Sequence, residues 1–145
     1  MSFYFSAVGR IPRHQWWLGT LGVIVYIVVV SFALTLIFGP LFLVGAGGRF
    51  ALFPFQLVAL YASYCIMAKR FQDRERPARY AQIAVGIQLA KALFDLVGIS
   101  GDPYRFNFID YASWIVIIGV GIWLTVELGC LRGTIGPNQY GADPV

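Results

Sequence analysis

Gln88, Lys91 and Asp95 stand inside one apolar stretch, and a helix turning about 100° per residue brings them within about 60° of one another. An amide, an ammonium and a carboxylate on one stripe are the ingredients of a polar pathway or a ligand counter-ion, and such a stripe faces protein or water, not lipid. The spacing also predicts a plainer role. Asp95 lies one turn beyond Lys91, so the two form an internal ion pair that fixes the rotation of the helix, or the lysine gives up its proton. Counted from the basic loop before it, Lys91 is some eleven residues along, about 16 Å, which places it close to mid-bilayer. Glu127 lies near the end of a later apolar stretch, within reach of Arg132 or of the N-terminal segment, and reads as an ion pair at the bundle edge. Asp110 opens that stretch and reads as a helix cap, a carboxylate at the positive end of the helix dipole.

No other arrangement carries catalytic chemistry. GxSxG, HExxH, a phosphate-binding glycine loop and a Ser/His/Asp set are all missing, and the polar residues are scattered. We therefore expect no catalytic residue and no enzyme activity. His14 is the sole histidine, and Cys65 and Cys130 form no CxxC, so neither metal nor cofactor is implied. Both cysteines are expected toward a reducing face, which argues against a disulfide.

The elements that must position these residues are long and apolar. Hydrophobic residues make up 59% of the 145-residue chain and charged residues 12%, a balance no water-soluble domain of this size can bury. Leu18 to Phe38 has no Asp, Glu, Lys, Arg or His, and is enough helix to cross a hydrocarbon core of about 30 Å. Spans are expected at about 18–38, 50–68, 80–99 and 108–131, with 1–17 as an interfacial arm and 132–145 as a tail. The fold expected is thus all-α, a single four-span bundle with an arm, a basic loop and a tail layered on one face. Val23 to Val30 is apolar throughout, without the alternation of a barrel strand. The first stretch is too long for a cleaved signal and lacks a small-x-small site, so it reads as an uncleaved span. Gly39-Pro40 interrupts the helix before 41–48, which reads as a short re-entrant or interfacial segment, and Pro54 is expected in the first turns of the second span.

Basic residues set the orientation. Arg10 and Arg13, then Lys69, Arg70, Arg74, Arg76 and Arg79, then Arg132 fall on one face, against Arg49 and Arg105 on the other. Both ends are therefore expected in the cytoplasm, and anionic lipid headgroups are expected partners of the basic loop at about 1 kcal/mol per cation. The loop explains itself as a topology signal, and nucleic acid is not expected. Trp16, Trp17, Tyr26, Tyr80, Tyr104, Tyr111 and Trp114 lie mostly near span ends, where amphipathic rings suit the headgroup region. Gly119 and Gly121, and the pair Gly129 and Gly133, permit close helix approach.

Three segments resemble one family of bacterial inner-membrane proteins. Gly9-Arg10-Ile11-Pro12-Arg13 with Trp16-Trp17, Ala68-Lys69-Arg70-Phe71-Gln72-Asp73, and Gly136-Pro137-Asn138-Gln139-Tyr140-Gly141-Ala142-Asp143-Pro144 are similar, in order and spacing, to the motifs of domain of unknown function 805. The resemblance covers almost the whole chain and implies a small four-span inner-membrane protein without an assigned activity. Gln72 stands where that family commonly has histidine, and Pro77-Ala78-Arg79-Tyr80 replaces its usual Ser-Gly-Trp-like continuation. All three segments fall on the expected cytoplasmic face, so Asp73 and Asp143 are expected to pair with Arg10, Arg13 or Arg70, and Asn138, Tyr140 and Gly141 to shape a turn. The function expected is association, as a homo-oligomer or as an accessory subunit of a larger membrane complex. The alternative is a small transporter or channel subunit using Gln88, Lys91, Asp95 and Glu127.

Overall fold

Long apolar runs become helices, because in the absence of water each backbone N–H and C=O is satisfied within its own segment. The computed structural model describes residues 2–42, 45–100 and 106–144. Its helices are α1 (Ser2–Phe5), α2 (Arg13–Phe38), α3 (Ala46–Asp73), α4 (Arg79–Leu96) and α5 (Phe108–Leu124), the last continuing as a π-helix over Thr125–Cys130. Among the described residues there is no strand, only an isolated bridge between Asn138 and Gly141.

Among the described residues three helices are long and apolar enough to cross a membrane: Arg13–Phe38, Ala46–Asp73 and Phe108–Cys130. The third expected span, 80–99, is present as α4, whose 18 residues include Arg79, Gln82, Gln88, Lys91 and Asp95 and are correspondingly less apolar. The helix stops three residues early because Gly98, at φ 74°, takes the left-handed turn that L side chains resist, and Ile99 N–H returns to Phe94 O at 3.0 Å.

Several boundaries differ from expectation. α2 begins at Arg13, so the last five residues of the expected arm, Trp16 and Trp17 among them, belong to its first turns. α3 begins at Ala46, which takes over part of the expected re-entrant segment and puts Pro54 in the third turn, where the carbonyl four residues back loses its helical donor. Residues 43–44 of that segment, and Tyr104 and Arg105, lie outside the described residues.

The core gathers at one end of α3, the central helix. Ala59, Ala62, Ala68, Ala81, Ala84 and Ala92 are buried, small side chains that let α3 approach its neighbours. Phe71, fully buried, has Tyr80 and Trp123 at ring distances of 5.7 Å each. From Cys65 to Asp73 every residue of α3 is buried, on all sides of the helix. α1 covers one side, with Phe5 stacked 6.3 Å from Tyr61, and the π-helix covers another. By contrast the most apolar part of α2 has no buried residue at all, the pattern of a helix whose solvent is lipid.

Candidate functional site

A helix C-terminus buried on all sides must place its last carbonyls and its charged side chains against partners, because none can reach water. The last turn of α3 supplies Lys69, Arg70, Gln72 and Asp73, and three distant segments supply the partners.

Arg70 is 1% exposed and uses its whole fork. Its Nε donates to Leu128 O at 2.9 Å, Nη2 to Leu131 O at 2.7 Å, and Nη1 to Ile11 O at 3.4 Å and to the Asp73 carboxylate. Two of those carbonyls belong to the end of the π-helix, where the helix dipole is negative and a cation is stabilised. The π turn itself is marked by Leu131 N–H donating back to Val126 O at 3.1 Å, five residues earlier.

Arg10 meets the same carboxylate from the other side. Its Nε donates to Asp73 Oδ1 at 3.0 Å, Nη1 to Gly136 O at 2.8 Å and Gly141 O at 3.2 Å, and Nη2 to Thr134 O at 2.8 Å. Asp143 stands 3.9 Å from the guanidinium and accepts Gly136 N–H at 2.7 Å. Asp73 thus balances two buried guanidinium groups, and its backbone carbonyl also accepts Thr134 N–H at 2.9 Å. Gly133 is required here: a Cβ would collide with the Asp73 carboxylate. Asn138 Nδ2 donates to Gln72 O at 3.0 Å, while its Oδ1 accepts Tyr140 N–H at 2.9 Å, closing the turn. Gln72 Nε2 donates to Ala7 O at 3.0 Å, so the residue at the histidine position ties α3 to the N-terminal arm. Lys69 Nζ donates to Phe3 O at 2.9 Å and sits 5.4 Å over the Phe3 ring.

Of the expected pairings, the structure brings together Asp73 with Arg10 and Arg70, and Asp143 with Arg10. Arg13 joins neither carboxylate. It lines, with His14, Arg70, Asp73, Arg132 and Asp143, a cavity of about 400 Å3 at the start of α2. Glu127 meets Arg74 at 2.5 Å and Arg76 at 3.1 Å through Oε1, in place of the expected Arg132. That oxygen is a charge partner of both without hydrogen-bond directionality toward either, and Arg74 also donates to Glu127 O at 2.7 Å. Arg79 and Arg76 lie over the Tyr80 ring, at 5.5 and 6.0 Å.

The stripe on α4 separates into two environments. Lys91 pairs with Asp95, as its spacing suggested, but α4 ends five residues beyond it, about 8 Å, so it sits toward a helix end and not at mid-helix. Its ammonium reaches Ser100 Oγ at 3.2 Å and Asp110 Oδ1 at 3.4 Å. Asp110 is 2% exposed and does the capping expected of it, in a capping box with Asn107. Its second role, as counter-ion to Lys91, leaves no trace in linear spacing because it depends on how α4 and α5 are set side by side. Arg49 Nη1 donates to Asp95 O at 3.2 Å and belongs to the same end of the bundle. Gln88 is apart from this group and faces the interior cavities between helices. Among the described residues no group of His, Cys, Asp and Glu gathers closely enough to hold a metal ion.

No curated protein and no solved structure matches this chain. One family model does, over residues 4–142, which takes in the N-terminal arginine motif, the buried end of α3 and the tail turn that closes on them. The chain belongs to that family, described as Protein of unknown function (DUF805).

Proposed function

We propose that this is a four-span protein of a bacterial inner membrane, with both chain ends in the cytoplasm, that works by association, as an oligomer or as an accessory subunit, and not as an enzyme. The topology is supported by Arg10, which hydrogen-bonds Thr134, Gly136 and Gly141 and so holds the two ends of the chain at the same end of the bundle. An odd number of crossings would separate them. α4 is therefore a crossing as well, bringing the number to four, with Lys91 neutralised by Asp95 and by Asp110 of α5. The clustering of Lys69, Arg70, Arg74, Arg76 and Arg79 at that end makes it the cytoplasmic one.

Association rests on one contrast among the glycines. Gly129 and Gly133 are spent on internal contacts, with a Cβ at Gly129 meeting the Trp16 and Trp17 rings. Gly86, Gly119 and Gly121 have nothing within 4 Å of where a Cβ would stand. In lipid, small residues are the places where helix backbones meet, and Gly86 on α4 and Gly119 on α5 have no internal contact, while Gly121 borders a cavity between helices. Cross-linking in native membranes followed by mass spectrometry tests the reading: a dimer or a defined partner is expected, weakened by Gly119→Leu, and recovery of monomer alone would overturn it. Anionic headgroups fit the cavity at the start of α2, where Arg13 and Arg132 are exposed and carry no ion pair among the described residues. Reporter fusions at residue 1 and residue 145 check the orientation.

A further inference from the structure

Two cavities, of about 310 and 330 Å3, run between the helices and share Val23, Ser63 and Gln88. They are lined by six uncharged hydrogen-bonding side chains: Thr20 and Ser31 on α2, Gln56 and Ser63 on α3, Gln88 on α4, and Thr125 at the start of the π-helix. None of the six side chains bonds to another described residue, although Thr35 nearby folds back on Ser31 O at 2.8 Å, as a hydroxyl on a helix readily does. Trp16 lines the same space, and its indole N–H is buried with no acceptor. Among the described residues no charged one borders either cavity. Thr20 and Ser31 are eleven residues apart, so the polar lining extends about 16 Å along α2.

Hydrocarbon cannot satisfy these groups. A hydroxyl has the option of its own helix backbone, but the carboxamides of Gln56 and Gln88 carry two donors and an acceptor each and find no such partner here. A volume of about 300 Å3 has room for several waters at roughly 30 Å3 each, with more than enough polar partners to hold them. The absence of charge matters equally: an ion entering would shed its hydration and meet no opposite charge.

We propose that this crevice is a hydrated binding site for a small uncharged solute rich in hydroxyl or amide groups, water being its simplest occupant. It does not rest on the association described above: of the glycines named there only Gly121 borders it, while Gly86 and Gly119 do not. Single cysteines report on it in the full chain in native membranes, in a Cys130→Ser background where Cys65 stays buried. Hydroxyethyl methanethiosulfonate, itself a small hydroxylated solute, should label Gln88→Cys at least about tenfold faster than Ile118→Cys on the exposed apolar face of α5. The trimethylammonium analogue should label Gln88→Cys about tenfold more slowly than the neutral reagent does, because of the desolvation of its charge. Ser63→Cys should behave in the same way and serves as the reporter if Gln88→Cys fails to accumulate. Labelling no faster than at Ile118→Cys means a dry cavity, and equal rates with both reagents mean an open aqueous surface. Either result overturns the proposal.

Discussion

Arg70 and Lys91 are both cations with a carboxylate one turn further along their own helix, Asp73 at i+3 and Asp95 at i+4. Arg70 and its carboxylate are both buried: the guanidinium spans carbonyls from the N-terminal arm and the end of the π-helix, and the carboxylate is shared with a second buried arginine. Around Lys91 the partner carboxylate of Asp95 is 43% exposed, while Asp110 and Ser100 are enclosed. The same local pair is therefore a structural keystone at one end of the molecule and a looser clasp at the other. What differs is how many separate segments converge on it.

Breaking the keystone should have the largest effect. Asp73→Ala leaves the buried Arg70 guanidinium without a counter-charge and Arg10 with only Asp143 at 3.9 Å, and is expected to cost about 3–5 kcal/mol, read as loss of accumulated protein or a large fall in Tm in mild detergent. Lys91→Met, at the looser end, leaves Asp110 enclosed but Asp95 able to reach solvent, and should cost about 1–3 kcal/mol in the same assay. If the two substitutions prove equal, the contrast is wrong. Asn107→Ala sharpens the account of that second end by removing the α5 cap while keeping the ion pair, for an expected loss of about 1 kcal/mol in thermal unfolding. Val28→Ala on the uncovered face of α2 should change stability by less than about 0.5 kcal/mol, because lipid replaces the lost methyl contacts.

The two ends also differ in how far the linear sequence revealed them. That Arg10, Arg70, Asp73 and Asp143 belong together was legible from their shared side of the apolar stretches, since charges sorted by topology must share a layer. Their hydrogen bonds to Thr134, Gly136, Leu128 and Leu131 were not, because a backbone carbonyl carries no sequence signature. Glu127 could be placed at a bundle edge, but choosing Arg74 and Arg76 over Arg132 needed the π turn, which resets the direction of the side chains around it. On α4, angular spacing anticipated the pairing of Lys91 with Asp95, but Gln88 of the same expected stripe stands in different surroundings. About 4.5 Å separates Gln88 from Lys91, enough to put one against the interior cavities and the other against Ser100 and Asp110.

The guanidinium of Arg70 binds oxygens from residue 11, residue 128 and residue 131, so during synthesis it emerges long before two of its three backbone acceptors exist. Until they arrive, the half-made protein holds an incompletely bonded cation at the membrane surface, a mark by which a stalled or shortened chain differs from a finished one. Arrival of residues 128 and 131 is thus chemically recorded at the buried end of the central helix.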